Sequence, residues 1–102
     1  MFKSTPFKRS QRVSDLIRKE VANIFLFELR DPRLKNITIS RVDMSDDLSN
    51  ATIYYFLNFQ ETNKNEINKV LNKSNGFIKS TLGKRLSLKK IPKLFFKEEI
   101  NA

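Results

Sequence analysis

Few groups in this chain can do chemistry, so its carboxylates come first. There is no Cys and no His, which excludes disulfides, thiolate zinc sites, a Cys nucleophile and the commonest general base. Asp, Glu, Lys, Tyr, Ser and Thr remain. Asp43, Asp46 and Asp47 lie close enough to suggest a Mg²⁺ site. They also sit around "SDDLSN", whose Asp, Ser and Asn residues are turn formers, and an acidic hairpin tip is the reading adopted. Glu20 projects onto an apolar helical stripe between Phe27 and Val13, with no basic residue three or four positions away. Tuned carboxylates serve catalysis, but a structural role accounts for Glu20 without it: an edge residue snorkelling to water, or a hydrogen bond or ion pair with a basic residue distant in sequence. "GFIKSTLGK" has the glycines, the GK pair and the Ser-Thr of a phosphate-binding loop. The spacing from Gly76 to Gly83 is too long, and Arg85 stands where the Mg²⁺-binding hydroxyl belongs. Nucleotide hydrolysis is rejected. The chain is expected to have no catalytic residue, no metal and no cofactor.

Charge carries more information. The 102 residues hold 20 Lys and Arg against 11 Asp and Glu, a net charge of +9. The excess is uneven: "KSNGFIKSTLGKRLSLKKIPKLFFK", from Lys73 to Lys97, contains no acidic residue. A one-sided basic surface suits a polyanion, and nucleic acid is the expected partner. Lys79, Ser80, Gly83 and Lys84 project to one half of a helix, and Arg85, Lys89, Lys90 and Lys93 continue the surface into the following loop. With Arg33 of "DPR", these are the expected nucleic-acid contacts. Gly83 is assigned to close approach of backbone or phosphate, or else to a tolerated helix glycine.

The elements that must position these residues can be read from periodicity. Val13, Leu16, Ile17, Val21, Ile24, Phe25 and Phe27 recur at helical spacing from about Ser10, a candidate N-cap, to Arg30, before Pro32. "NITISRVDM" and "ATIYYFLNF" form a hairpin, and the change of face between Ile39 and Val42 predicts a bulge near Ser40–Arg41. Asn63 and Glu66 have capping-box spacing at the start of a second helix. Turn formers at Ser74, Asn75 and Gly76 predict a break, after which Phe77, Ile78, Thr81, Leu82 and Leu86 form the apolar half of a third helix. "LFF" is a short last strand after Pro92. The expected fold is α+β, in the order α-β-β-α-kink-α-β, with helices on one face of a three-stranded sheet. That order resembles a bacterial-type (type II) K-homology domain, although no G-x-x-G loop is present.

"RV…I.KE", "ELRDPRL", "SDDLSNA", "GFI.S.LGK.L" and "IP.L.F", spread from about Gln11 to Phe96, resemble bacterial ribosome-binding factor A. The resemblance implies a K-homology-like RNA-binding domain in which an Ala-x-Gly-like interhelical kink, here Ser74-Asn75-Gly76, replaces the usual loop. It implies a non-enzymatic factor of late small-subunit assembly. Such a factor binds free 30S particles, assists processing of 16S rRNA near its 5′-terminal helix, and is associated with growth in the cold. The chain ends "KEEINA", without the longer tail of many members.

One domain over residues 1–102 is expected, with 1–9 flexible and 98–102 a tail. No transmembrane run or secretory signal is visible, so a cytoplasmic monomer is expected, with 16S rRNA as partner and neither a membrane nor a small-molecule substrate. The rival reading is a general RNA- or DNA-binding or nucleoid-associated protein.

Overall fold

The computed structural model describes residues 6–59 and 63–100. Helix α1 spans Pro6–Phe27. Proline suits a first helical turn, where its missing N–H costs nothing, and the helix starts earlier than the apolar spacing alone indicates. Ser10 is therefore not a cap but lies inside the helix, buried. Residues 6–9 belong to α1 and not to a flexible lead; residues 1–5 lie outside the described set. Val13, Ile17, Val21 and Ile24 form the buried stripe. After Phe27 the N–H groups of Glu28 and Leu29 both donate to the Ile24 carbonyl and close the helix. Asp31 is extended, as a residue before proline should be. Its carboxylate accepts from the Arg33 N–H at 3.0 Å and caps a 3₁₀ turn over Pro32–Asn36 that buries Leu34.

Strands β1 (Ile37–Met44) and β2 (Asn50–Leu57) pair antiparallel. Ile39 faces Tyr55 and Arg41 faces Tyr54, leaving Ser40 as the extra residue of the expected bulge. The bulge lets Ile37 and Val42 both reach the core. Strand β3 spans Lys93–Glu98, longer than "LFF" alone, and pairs parallel with β2, Ala51 beside Leu94 and Ile53 beside Phe96. The order in the sheet is β1-β2-β3. The expected tail at 98–102 is partly built in: Glu98 ends β3, and Glu99 accepts from Arg41 Nε at 2.8 Å and Ser40 Oγ at 3.2 Å. Residues 101 and 102 lie outside the described set.

Helix α2 spans Lys64–Arg85. Asn63 caps it as its spacing predicts, accepting from the N–H groups of Asn65 and Glu66. The expected break at Ser74, Asn75 and Gly76 does not occur; all three lie within one helix. The buried residues Ile67, Val70, Leu71, Ile78 and Leu82 keep one stripe in register across the segment, and packing overrides local turn propensity. Asn75 uses its side-chain amide elsewhere, donating to the Leu94 carbonyl at 3.0 Å and tying α2 to β3. Gly76 does not have a positive φ, and a Cβ added there would meet nothing within 4 Å. Phe77, expected in the apolar half, is 49% exposed.

Both helices bury their stripes on the same side of the sheet, giving the α+β architecture expected. Ser14 Oγ adds a buried hydrogen bond from α1 to the Val42 carbonyl at 2.8 Å.

Gly76 now lends itself to a direct test. It is exposed in a helix interior without a steric need for glycine, so Gly76→Ala is expected to stabilise the fold by about 0.5–1 kcal/mol. Thermal or urea unfolding would measure it, and destabilisation would show that the segment needs glycine's conformational freedom.

Candidate nucleic-acid interface

The outward half of α2 supplies the first part of the surface. Lys79, Ser80 and Lys84 are exposed there, as expected. Helical geometry sets Lys73, Phe77 and Lys84 along one edge of this half, with Lys79 on the other and Ser80 between. Lys73, Lys79 and Lys84 take part in none of the ion pairs among the described residues. Phe77 thus stands as an exposed ring between two lysines, and aromatic rings interleaved with cations suit nucleic-acid bases and phosphates together. Its position at the margin of the apolar half made it look like core.

Gly83 has a different role from the one expected. A Cβ built there would lie 3.3 Å from Ile91 Cγ1, so the missing side chain makes room for the loop that follows α2. That contact folds the segment after Leu86 back along the helix. Lys89 and Lys90 are exposed on this loop, and Lys93 is exposed at the start of β3. Arg9, Arg12 and Leu16 of α1, at the other end of the chain where the charge run could not indicate them, line a cleft together with Lys89 and Lys90.

Two expected contacts are engaged elsewhere. Arg85 donates to Glu20 at 3.4 Å and also to Glu28, bridging the two helices. These bonds, that to Glu28 foremost, raise the guanidinium pKa. Glu20 therefore has the sequence-distant basic partner that its place on α1 requires. Arg33 forms a two-pronged pair with Asp31, Nε to Oδ1 at 3.0 Å and Nη2 to Oδ2 at 2.8 Å, at the 3₁₀ turn. Its hydrogen bonds hold the Asp31 carboxyl at about 2. Both arginines carry compensated charge and brace the fold.

The acidic tip is a hydrogen-bonded turn. Asp47 Oδ1 accepts from Ser45 Oγ at 2.7 Å, Ser49 Oγ at 2.6 Å and the Ser49 N–H at 3.1 Å. These bonds, led by Ser49, keep the Asp47 carboxyl at about 2. Among the described residues no group of three or more His, Cys, Asp or Glu could hold a metal ion, and no helix is long and apolar enough to cross a membrane.

The sequence model of the family described as ribosome-binding factor A matches residues 9–101. The chain belongs to that family. The ribosome-binding factor A of Syntrophus aciditrophicus is 42% identical over 95 residues, covering 93% of this chain and 77% of that one. The crystal structure of ribosome-binding factor A from Thermus thermophilus superposes with a TM-score of 0.77 at 22% identity, over 87% of this chain and 93% of that one. A homology model of the Thermus thermophilus factor, fitted into a cryo-EM map of a complex of the 30S particle with that factor, matches with a TM-score of 0.69 at 21% identity, over 82% and 88% of the two chains. At these identities the two structural matches establish the fold.

The tip's hydrogen bonds make acid stability testable. The folded-state value of Asp47, about 2, lies below the ~3.9 of an unfolded aspartate. Between these values the unfolded chain binds more protons, so stability present above pH ~4 is lost as pH falls toward 2. Asp47→Asn is expected to flatten that limb of the stability–pH curve, measured by urea unfolding. An unchanged limb would show that the turn's bonds do not favour the charged form.

Proposed function

We infer that this chain acts by binding, without catalysis, as an assembly factor of the small ribosomal subunit. It associates as a monomer with free 30S particles in the cytoplasm and assists late maturation and efficient processing of 16S rRNA near its 5′-terminal helix, a role that matters most in the cold. The observation that carries this reading is the outward half of α2, where Lys73, Lys79 and Lys84 flank Ser80 and the exposed Phe77. No carboxylate lies in the segment to repel phosphate. The family's description and the relative fitted into a 30S complex supply the partner.

Physically, Lys79, Lys84, Lys89, Lys90 and Lys93 contact phosphate, and Ser80 donates or accepts a further hydrogen bond. Lysine is a flexible point charge, well suited to positioning on a backbone without reading sequence. Gly83 contributes indirectly, by letting the loop that bears Lys89 and Lys90 lie close to α2. A general nucleic-acid binder would share the charge but sediment with DNA.

Lys79→Glu combined with Lys84→Glu is expected to abolish association with free small subunits in gradient sedimentation while leaving the melting temperature nearly unchanged. Against a model RNA, losing two phosphate contacts should flatten the slope of log affinity against log salt by between about 1.4 and 1.8. Arg18→Glu with Lys19→Glu, on the exposed side of α1, makes the same change in charge and serves as control. If the α2 pair is neutral and the α1 pair abolishes association, the interface lies on α1 and this reading of α2 is wrong.

A further inference from the structure

The start of α1, the β1–β2 tip and the loop before β3 converge on a cleft of about 600 Å³. Its floor is apolar: Val13 and Pro92 are buried, Leu48 and Leu88 half-buried, and Leu16 is 48% exposed. Its rim carries Arg9, Arg12, Lys89 and Lys90 against one carboxylate, Asp47. Those four cations are in none of the ion pairs among the described residues.

A second, independent observation concerns the wall. Leu48 has φ 62, the only positive φ among the described non-glycine residues. Bulky side chains rarely adopt that conformation, and glycine or asparagine would hold it with less strain. The turn is fixed around it, the Leu48 N–H donating to the Ser45 carbonyl at 2.9 Å. A leucine kept there against its backbone preference keeps an apolar side chain in the lining of the cleft.

An apolar slot of this size beneath a cationic rim is complementary to a flat base attached to a phosphate. Extruded bases are held between apolar or aromatic side chains, and the backbone charge is met at the edge. Stacked helical RNA would offer phosphates to the rim but no base to the slot. We propose that the cleft holds one unstacked nucleotide of a single-stranded RNA segment, its base among Leu16, Leu48 and Leu88 and its phosphate on the cationic rim. The Asp47 carboxylate, whose described hydrogen bonds all fall on Oδ1, would favour a base that presents an amino group. This proposal rests on the RNA-binding reading of the chain, and the loop that follows α2 joins the cleft to the outward half of that helix.

The test measures binding of the full chain to a short mixed-sequence single-stranded oligoribonucleotide carrying a fluorescent adenine analogue, and to the same strand in a duplex. The single strand should bind more tightly. Leu16→Ala should weaken it roughly fivefold or more, the lower end of what one lost base contact is worth, with no effect on the duplex. Leu48→Asn, whose new residue tolerates the left-handed backbone, should give the same selective loss in a protein that unfolds cooperatively. Equal affinity for both forms, or a single-strand affinity indifferent to both variants, overturns the proposal. So does a loss of small-subunit association without any loss of oligonucleotide binding, which would mean that the cleft takes a protein side chain. The α2 charge reversals are read separately: their failure would remove the helix from the interface, whereas failure of the leucine variants alone would remove only the cleft.

Discussion

Two long helices and three short strands share one core, and both helices must bury their apolar stripes on the same side of the sheet. Ile17, Val21 and Ile24 from α1 meet Ile67, Leu71, Ile78 and Leu82 from α2 over Ile53 of the central strand, all essentially inaccessible to solvent. At ~1.5 Å per residue a helix of 22 residues is ~33 Å long. The longest strands, of eight residues at ~3.3 Å each, span ~26 Å, and three strands spaced by ~4.8 Å are narrower still, so the sheet is shorter than the helices in either direction. The helices therefore overhang the sheet. At the end of α1 the overhang exposes Leu26 and Phe27, and the outward half of α2 has no layer above it. The surface assigned to RNA is the unburied half of an element whose other half makes the core.

A division of labour among the cations follows. Arg33, Arg41 and Arg85 are each held by carboxylates: Arg33 by Asp31, Arg41 by Glu99 and Asp43, Arg85 by Glu20 and Glu28. Arg41 also lies 3.8 Å over the Tyr54 ring on the open side of the sheet. The planar guanidinium suits such fixed, multi-contact geometry, whereas lysine is a mobile, well-hydrated charge. Lys64, which pairs with Glu98 at 3.1 Å, is the one lysine among the described ion pairs. Compensated charge braces the fold at three places, while the lysines of the acid-free segment form no ion pair among the described residues. Net charge alone would not distinguish these populations; their pairing does.

How much could be read beforehand depends on whether the deciding contact is local. The bulge at Ser40 was legible because an extra residue reverses the alternation of side chains in the sequence itself. The need for a partner to Glu20 was legible from the stripe it interrupts, but the partner was not, since Arg85 lies 65 positions away. Ser74-Asn75-Gly76 misled for the opposite reason. Its turn preference is local, and the stripe from Ile67 to Leu82, together with the Asn75 bond to β3, outweighs it. Gly83 belongs to the same class, its reason being the side chain of Ile91 across a loop. Of the expected RNA surface, the lysines and Ser80 are exposed, whereas Arg85 is claimed by Glu20 and Glu28, far away in sequence, and Arg33 by Asp31, only two positions before it.

The parallel pairing of β2 with β3 also bears on how the chain reaches its native state. β1 and β2 close through a tight turn and can form early, since few residues must be ordered to join them. β3 can dock only after the chain has travelled from Leu57 through all of α2 and back to Lys93, and the loop entropy of that excursion precedes any reward from pairing. Until then the outer edge of β2 is bare, and Ala51 and Ile53 lack Leu94 and Phe96 beside them. The slow step of folding should therefore be the arrival of the last strand, and the species waiting for it would expose the edge most prone to pair with another chain.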